Sequence, residues 1–180
     1  MKILKIVVII VVVLIAIPLI LGLFAKKDYT VSREVVINKP TAEVFEYVKY
    51  LKNQDYYNKW TMADPNMKKD FTGLDGTIGF IYAWESEDNN VGKGEMEIKG
   101  ITANERIDTE TRFEEPFEGT AQINMTTESI SEDQTKVKWT FDSEMGYPMN
   151  AMLIFMDMDD VLGPDLETSL NTLKNILENK

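Results

Sequence analysis

Residues 148–163 read PMNAMLIFMDMDDVLG. Two chemistries are available to such a stretch. Asp157, Asp159 and Asp160 offer the oxygen ligands that hard cations take. Met149, Met152, Phe155 and Met156 offer a flexible, polarizable surface that suits varied apolar ligands. The metal chemistry is the poorer match. A calcium loop needs ligands at alternate positions around a glycine turn, and a carboxylate bundle usually adds histidine. Neither is present, so the aspartates read as a solvated helix face, and no metal or cofactor is expected. On a helix, Met149, Met152, Phe155, Met156 and Asp159 fall on one stripe, with Ala151, Ile154 and Met158 beside it. The stripe is either a ligand-facing wall or a row of methionines filling a core.

The chain has no cysteine and no histidine. Thiol nucleophiles, disulfides, thiolate or imidazole metal sites and imidazole bases are therefore excluded. Proton transfer would fall to a carboxylate, a lysine or a tyrosine. Tyr82, Arg112, Glu144 and Asp159 are the polar candidates, and they form no recognisable dyad or triad, so catalysis is not the expected activity. Four of the 19 basic residues precede residue 28 and none of the 30 acids does, which leaves a net charge of about −15 on residues 28–180. Such a surface argues against nucleic acid, whose binding rests on basic patches.

The elements that must position these groups begin with an uncharged run, IVVIIVVVLIAIPLILGLFA at 6–25. About 20 helical residues cross the ~30 Å hydrocarbon layer, and Pro18 is tolerable inside a membrane helix. Signal peptides have a shorter apolar core of about 7–15 residues and a small-x-small site. Leu23-Phe24-Ala25 is a poor one, so residues 1–27 are expected to be an uncleaved single-pass membrane anchor. Lys2 and Lys5 nearly balance Lys26 and Lys27; the free amino terminus tips the expectation towards an extracytoplasmic location for residues 28–180.

Residues 28–180 are of single-domain size. YTVSREVVI at 29–37 has strand character; Thr41 follows a break as a helix cap, and Val44, Phe45, Val48 and Leu51 give helical spacing over 42–52. Residues 53–66 are aromatic and turn-rich, with room for a second short helix. Alternating strands follow. Their apolar face holds Ile78, Phe80, Tyr82, Trp84, Met96, Ile98, Ile107, Phe113, Ile123, Met125, Val137, Trp139 and Phe141. Few polar groups join that face: Tyr82, Thr109, Thr111 and Ser143. One apolar and one polar face is the pattern of an antiparallel sheet wet on one side. The dry face needs a cover, and Leu162, Leu166, Leu170, Leu173 and Leu177 supply an amphipathic helix. Gly163-Pro164 predicts a kink or a break in it, with 148–162 as the part before the break.

The order strand, short helices, about six strands, long C-terminal helix resembles the helix-grip fold (α+β) of the START/polyketide-cyclase superfamily, also called SRPBCC. The resemblance spans 29–180 and rests on INKPTAEVFEYV at 37–48, NKWTMADPN at 58–66, AWESEDNNVGKGEMEI at 83–98 and LETSLNTLKNILE at 166–178. It implies a curved antiparallel sheet wrapped round the long helix, with a cavity between them that binds a hydrophobic molecule in many members. The cavity wall so implied is Trp60, Phe80, Tyr82, Trp84, Met96, Ile107, Met125, Trp139 and Phe141, joined by Met149, Met152, Phe155 and Met156. The expected function is membrane-tethered binding or transfer of a small lipid- or isoprenoid-like molecule. The alternatives are a cyclase-like enzyme using the same cavity and a protein-interaction domain whose cavity has collapsed.

Overall fold

The computed structural model describes residues 2–179. An N-terminal helix α1 (Lys2–Phe24) leads into β1 (Asp28–Ile37), α2 (Thr41–Val48), a 3-10 helix (Leu51–Tyr56) and α3 (Lys59–Ala63). Six strands follow: β2 (Lys68–Thr72), β3 (Ile81–Glu85), β4 (Lys93–Thr102), β5 (Arg106–Glu115), β6 (Gly119–Ser131) and β7 (Gln134–Glu144). A second 3-10 helix (Met149–Ile154) precedes the long α4 (Met158–Glu178). The seven strands form one antiparallel sheet in the order β1-β7-β6-β5-β4-β3-β2. The expected α+β architecture is the one observed.

Strand alternation sets the sheet's faces. Val137, Trp139 and Phe141 of β7, Ala121, Ile123 and Met125 of β6, and Ile107 and Thr109 of β5 are buried on the concave side. α4 crosses that side against β1, where Leu166, Leu170, Leu173 and Leu177 join Val31, Ile37, Val44, Val48 and Trp139 in the main core. A smaller cluster at the other end of the sheet holds Leu51, Met67, Phe80, Tyr82, Met96 and Ile98. Register shifts at Lys93/Gly94 and Ile98/Gly100 break the β4–β5 ladder, and such bulges bend a strand and raise its twist.

Three expectations need correction. Ile78 is not on the inner face: the strand starts only at Ile81, and Ile78 lies exposed in a turn with Gly76 and Gly79, both at positive φ. Residues 148–162 do not form the first half of a broken helix. Residues 149–154 are a 3-10 helix, and α4 starts at Met158, where the Asp157 side chain accepts from the Asp159 backbone N–H at 2.9 Å. Pro164 lies within α4 without ending it. Gly163 has no Cβ, which removes part of the clash that keeps the residue before proline out of the α region. Finally, Asp159 is not a free acid on a solvated face. It takes a two-pronged hydrogen bond from Arg33 of β1, at 2.7 and 2.8 Å. A Cβ on Gly163 would come within 1.9 Å of that guanidinium, so the bare backbone is what lets the pair form.

α1 is long and apolar enough over Ile3–Phe24 to cross a membrane. Its last turn touches the rest of the molecule at the second 3-10 helix. Asn150 Nδ2 donates to the carbonyls of Gly22, at 2.7 Å, and Ala25, at 3.2 Å. These are the carbonyls that a helix C-terminus leaves without partners.

The β3–β4 loop folds back on the β5–β6 turn at Gly92, whose φ is 64°. An added Cβ would lie 2.0 Å from the Glu115 carbonyl oxygen. Gly92→Ala is therefore expected to lower unfolding stability by about 1–3 kcal/mol, read by urea denaturation. A loss within the ~0.5 kcal/mol of an ordinary surface change would show that the two loops do not meet there.

Candidate functional site

Between the concave face of the sheet and the N-terminal half of α4 lies a cavity of about 230 Å³. Leu162 and Leu166 of α4 form one wall and Ile123, Trp139 and Phe141 of the central strands the floor. Tyr82, Trp84, Met96, Thr111 and Phe113 close the far side; Leu51, Gln54, Asn58, Trp60, Thr61 and Met67 form the roof. The lining residues that are themselves exposed are Asn90 of the β3–β4 loop, Glu115 at the end of β5, and Pro116 and Phe117 of the β5–β6 loop. The cavity therefore opens between those loops. Aromatic rings stiffen this end: Trp84 meets Phe113 edge-on at 6.1 Å, Phe113 lies 6.4 Å from Phe141, and the Trp84 indole N–H donates to the Val91 carbonyl at 3.2 Å.

The polar groups in the lining are few and mostly committed. Asn58 Nδ2 donates to Gln54 Oε1 at 2.8 Å, and Asn58 Oδ1 accepts from the Trp60 backbone N–H at 3.0 Å. The Gln54 amide reaches the Met96 sulfur at 3.5 Å. Tyr82 donates its phenol to Asp55 Oδ1 at 2.6 Å, and Lys69 pairs with the same carboxylate at 2.9 Å. Burial first, then the Asp55 hydrogen bond, push the Tyr82 phenol well above its ordinary pKa. A phenol so held is a poor proton donor to a substrate; its part is to brace the roof. Thr111 differs. It is buried in the cavity wall, and its hydroxyl has no hydrogen-bond partner.

Of the wall residues expected from sequence, Trp60, Tyr82, Trp84, Met96, Trp139 and Phe141 meet around this cavity. Ile107 and Met125 lie deeper, around a void of about 10 Å³ beside Tyr57. Phe80 is fully buried and stacks on Phe71, away from the cavity. Met149, Met152, Phe155 and Met156 do not line it. They are exposed on and just after the second 3-10 helix, beside α1 rather than over the sheet. The 3.6-residue stripe drawn through them dissolves because the segment is not an α-helix. Arg112 lies on the outer face, ion-paired with Glu95 at 2.8 Å, with Glu97 at 3.0 Å and with Glu110. Glu144 is exposed at the end of β7 and Asp159 is held by Arg33. No group of three or more acids among the described residues is placed to hold a metal ion.

Gln54, Asn58, Thr61 and Phe117 belong to the site and were not expected there. The first three sit on one 3-10 turn and the start of α3, where no apolar period assigns a face. Phe117 sits in a turn between acids.

No family model and no curated protein matches the chain. Solved structures do. Norcoclaurine synthase of Thalictrum flavum, in complex with dopamine and hydroxybenzaldehyde, aligns with a TM-score of 0.63 over 89% of this chain and 93% of its own, at 10% identity. A protein from Rhizobium leguminosarum aligns at 0.57, with 17% identity over 86% of this chain and 97% of its own. One from Chromobacterium violaceum aligns at 0.58, with 12% identity over 83% and 96%. At such identities the likeness speaks to architecture alone, and the architecture is the helix-grip fold: a curved seven-stranded antiparallel sheet closed round a long C-terminal helix.

Proposed function

We propose that this chain is a membrane-tethered helix-grip protein that holds or transfers a small hydrophobic molecule. The observation that carries the reading is the cavity of about 230 Å³, whose surface is almost wholly apolar, with one unpartnered hydroxyl on Thr111 in its wall. A protein interior is normally packed without such voids. An open apolar space of this size is best explained by an occupant. It falls below the ~300–1,000 Å³ of drug-sized sites, which favours a compact molecule or one end of a longer one, with a polar atom to meet Thr111. The apolar α1 supports the tether, since it would keep the cavity beside the phase in which such a ligand dissolves. A collapsed, interaction-only domain fits less well with an open cavity. No specific observation favours an enzyme: one neighbour in fold is by name a synthase, but Tyr82, the buried ionisable group in the lining, is already bonded to Asp55.

Native mass spectrometry of the full chain, extracted in mild detergent, tests the reading directly. The expected result is a copurified hydrophobic adduct that leaves on mild activation. Bare protein from several detergents, with no uptake of an added hydrophobic fluorophore, would overturn it.

Thr111→Val separates the roles of the unpartnered hydroxyl. An unmet buried hydroxyl is costly, so the empty protein is expected to become more stable by about 1 kcal/mol, while the copurified ligand binds roughly 2- to 10-fold more weakly. Destabilisation of the empty protein would show that the hydroxyl is satisfied without a ligand.

Residues 28–180 are also proposed to fold without the anchor, because both apolar clusters lie within them. Deleting residues 1–27 is expected to leave a soluble monomer with a cooperative unfolding transition, read by circular dichroism and sedimentation. An aggregated or unfolded product would count against it.

A further inference from the structure

The register of the sheet gathers one set of features at one end of the molecule. β1 begins there, at Asp28, paired with Glu144 at the end of β7. Ala121 pairs with Ser143, so the first residue of β6, Gly119, lies level with Met145, whose N–H donates to the Lys27 carbonyl. The β5–β6 turn with Phe117 is therefore at the level where the chain leaves α1. Lys93 of β4 pairs with Glu115, which puts the β3–β4 loop at the same end. The cavity opens between these two loops.

The second 3-10 helix is docked on α1 at Gly22, inside the apolar stretch and not beyond it. A Cβ on Gly22 would come within 3.0 Å of Asn150 Oδ1 and 3.3 Å of the Pro148 carbonyl. If α1 spans a bilayer, Gly22 lies in the last turn before the lysines that mark its surface, and whatever packs on Gly22 lies at that depth. Asn150, Tyr147 and Pro148 meet Gly22 there, and the 3-10 helix they belong to or adjoin carries Met149, Met152 and Ile154, with Phe155 just after it, all four exposed, Phe155 by 80%. Phe117, exposed by 72%, stands at the mouth itself. In water these side chains would form an unexplained apolar rim; in the boundary between headgroups and acyl chains they are in their preferred surroundings.

We propose that the 149–155 segment and the Phe117 turn form an edge that sits in the surface of the bilayer, so that the cavity mouth faces the membrane and its ligand enters from lipid. The inference rests on α1 spanning the membrane, as proposed above, and adds how the rest of the chain is seated on it. Glu114, Glu115 and Glu118 flank Phe117 and would be repelled by anionic headgroups, so the partner is an uncharged bilayer surface held by apolar contact. Such seating is insensitive to salt.

The chain contains no cysteine, so single-cysteine variants of the full-length protein can carry an environment-sensitive fluorophore without background labelling. Phe117→Cys and Phe155→Cys are compared with Leu14→Cys, in the middle of α1, and with Ile130→Cys, near the opposite end of the sheet at the end of β6. All are reconstituted in phosphatidylcholine vesicles, and quenching by nitroxide-bearing lipid is set against quenching by iodide. Labels at 14, 117 and 155 are expected to lose fluorescence to the lipid quencher and the label at 130 to iodide, at low and high salt alike. Lipid quenching at 14 with iodide quenching at 117 and 155 would overturn the seating and leave the tether standing. Labels at 117 and 155 shielded from both quenchers would mark a protein contact and also overturn it. Iodide quenching at 14 would remove the tether and the seating together.

Discussion

A single helix is too narrow for this sheet. Its diameter of about 10 Å covers two strands at a spacing of ~4.8 Å, yet seven strands present one dry face. α4 is held to one side of that face, against β1, by the Arg33–Asp159 pair and the bare backbone of Gly163. Everything else follows from the mismatch. The sheet must curl, with register shifts in β4–β5 to help it. The short helical segments over 41–63 must cover part of what α4 leaves, and the part that neither reaches is the cavity.

The curvature and the apolar wall were legible in the sequence because they rest on a period-2 pattern that burial enforces strictly. From Met96 to Phe141 the residues read as inward are inward, or at most half-exposed at the rim. Legibility failed where no such period exists. β2 reads KKDFT, an edge strand that alternates nothing and buries little, so it left no signature. Ile78 looked like a strand residue because its neighbours alternate, but Gly76 and Gly79 had already bent the chain. The 148–163 stretch misled for a related reason. Its apolar residues answer to α1, an element outside the sheet, and a face assigned by helical period presumes that the sheet is what they pack against.

The site was half legible for the same causes. Trp60, Tyr82, Trp84, Met96, Trp139 and Phe141 were found by alternation or by resemblance, and all touch the cavity. Gln54 and Asn58 were not found, although both are buried and bonded to each other. A buried amide pair satisfies its own polarity and leaves no hydrophobic trace in the sequence. Their effect is to give the roof a fixed hydrogen-bonded frame, while the wall facing it is soft methionine and aromatic surface. The unpartnered Thr111 hydroxyl lies in that wall, in a shape set mainly by rings.

Three residues, Ala25 to Lys27, separate α1 from β1, and Asn150 clasps the carbonyls of the last helical turn. The two parts are thus geared rather than hinged. Each residue added to or taken from α1 near its end would swing the sheet about 100° around the helix axis and shift it by about 1.5 Å along it. The length of α1, far more than the composition of the linker, is therefore a phase angle: it sets the compass direction in which the mouth of the cavity points.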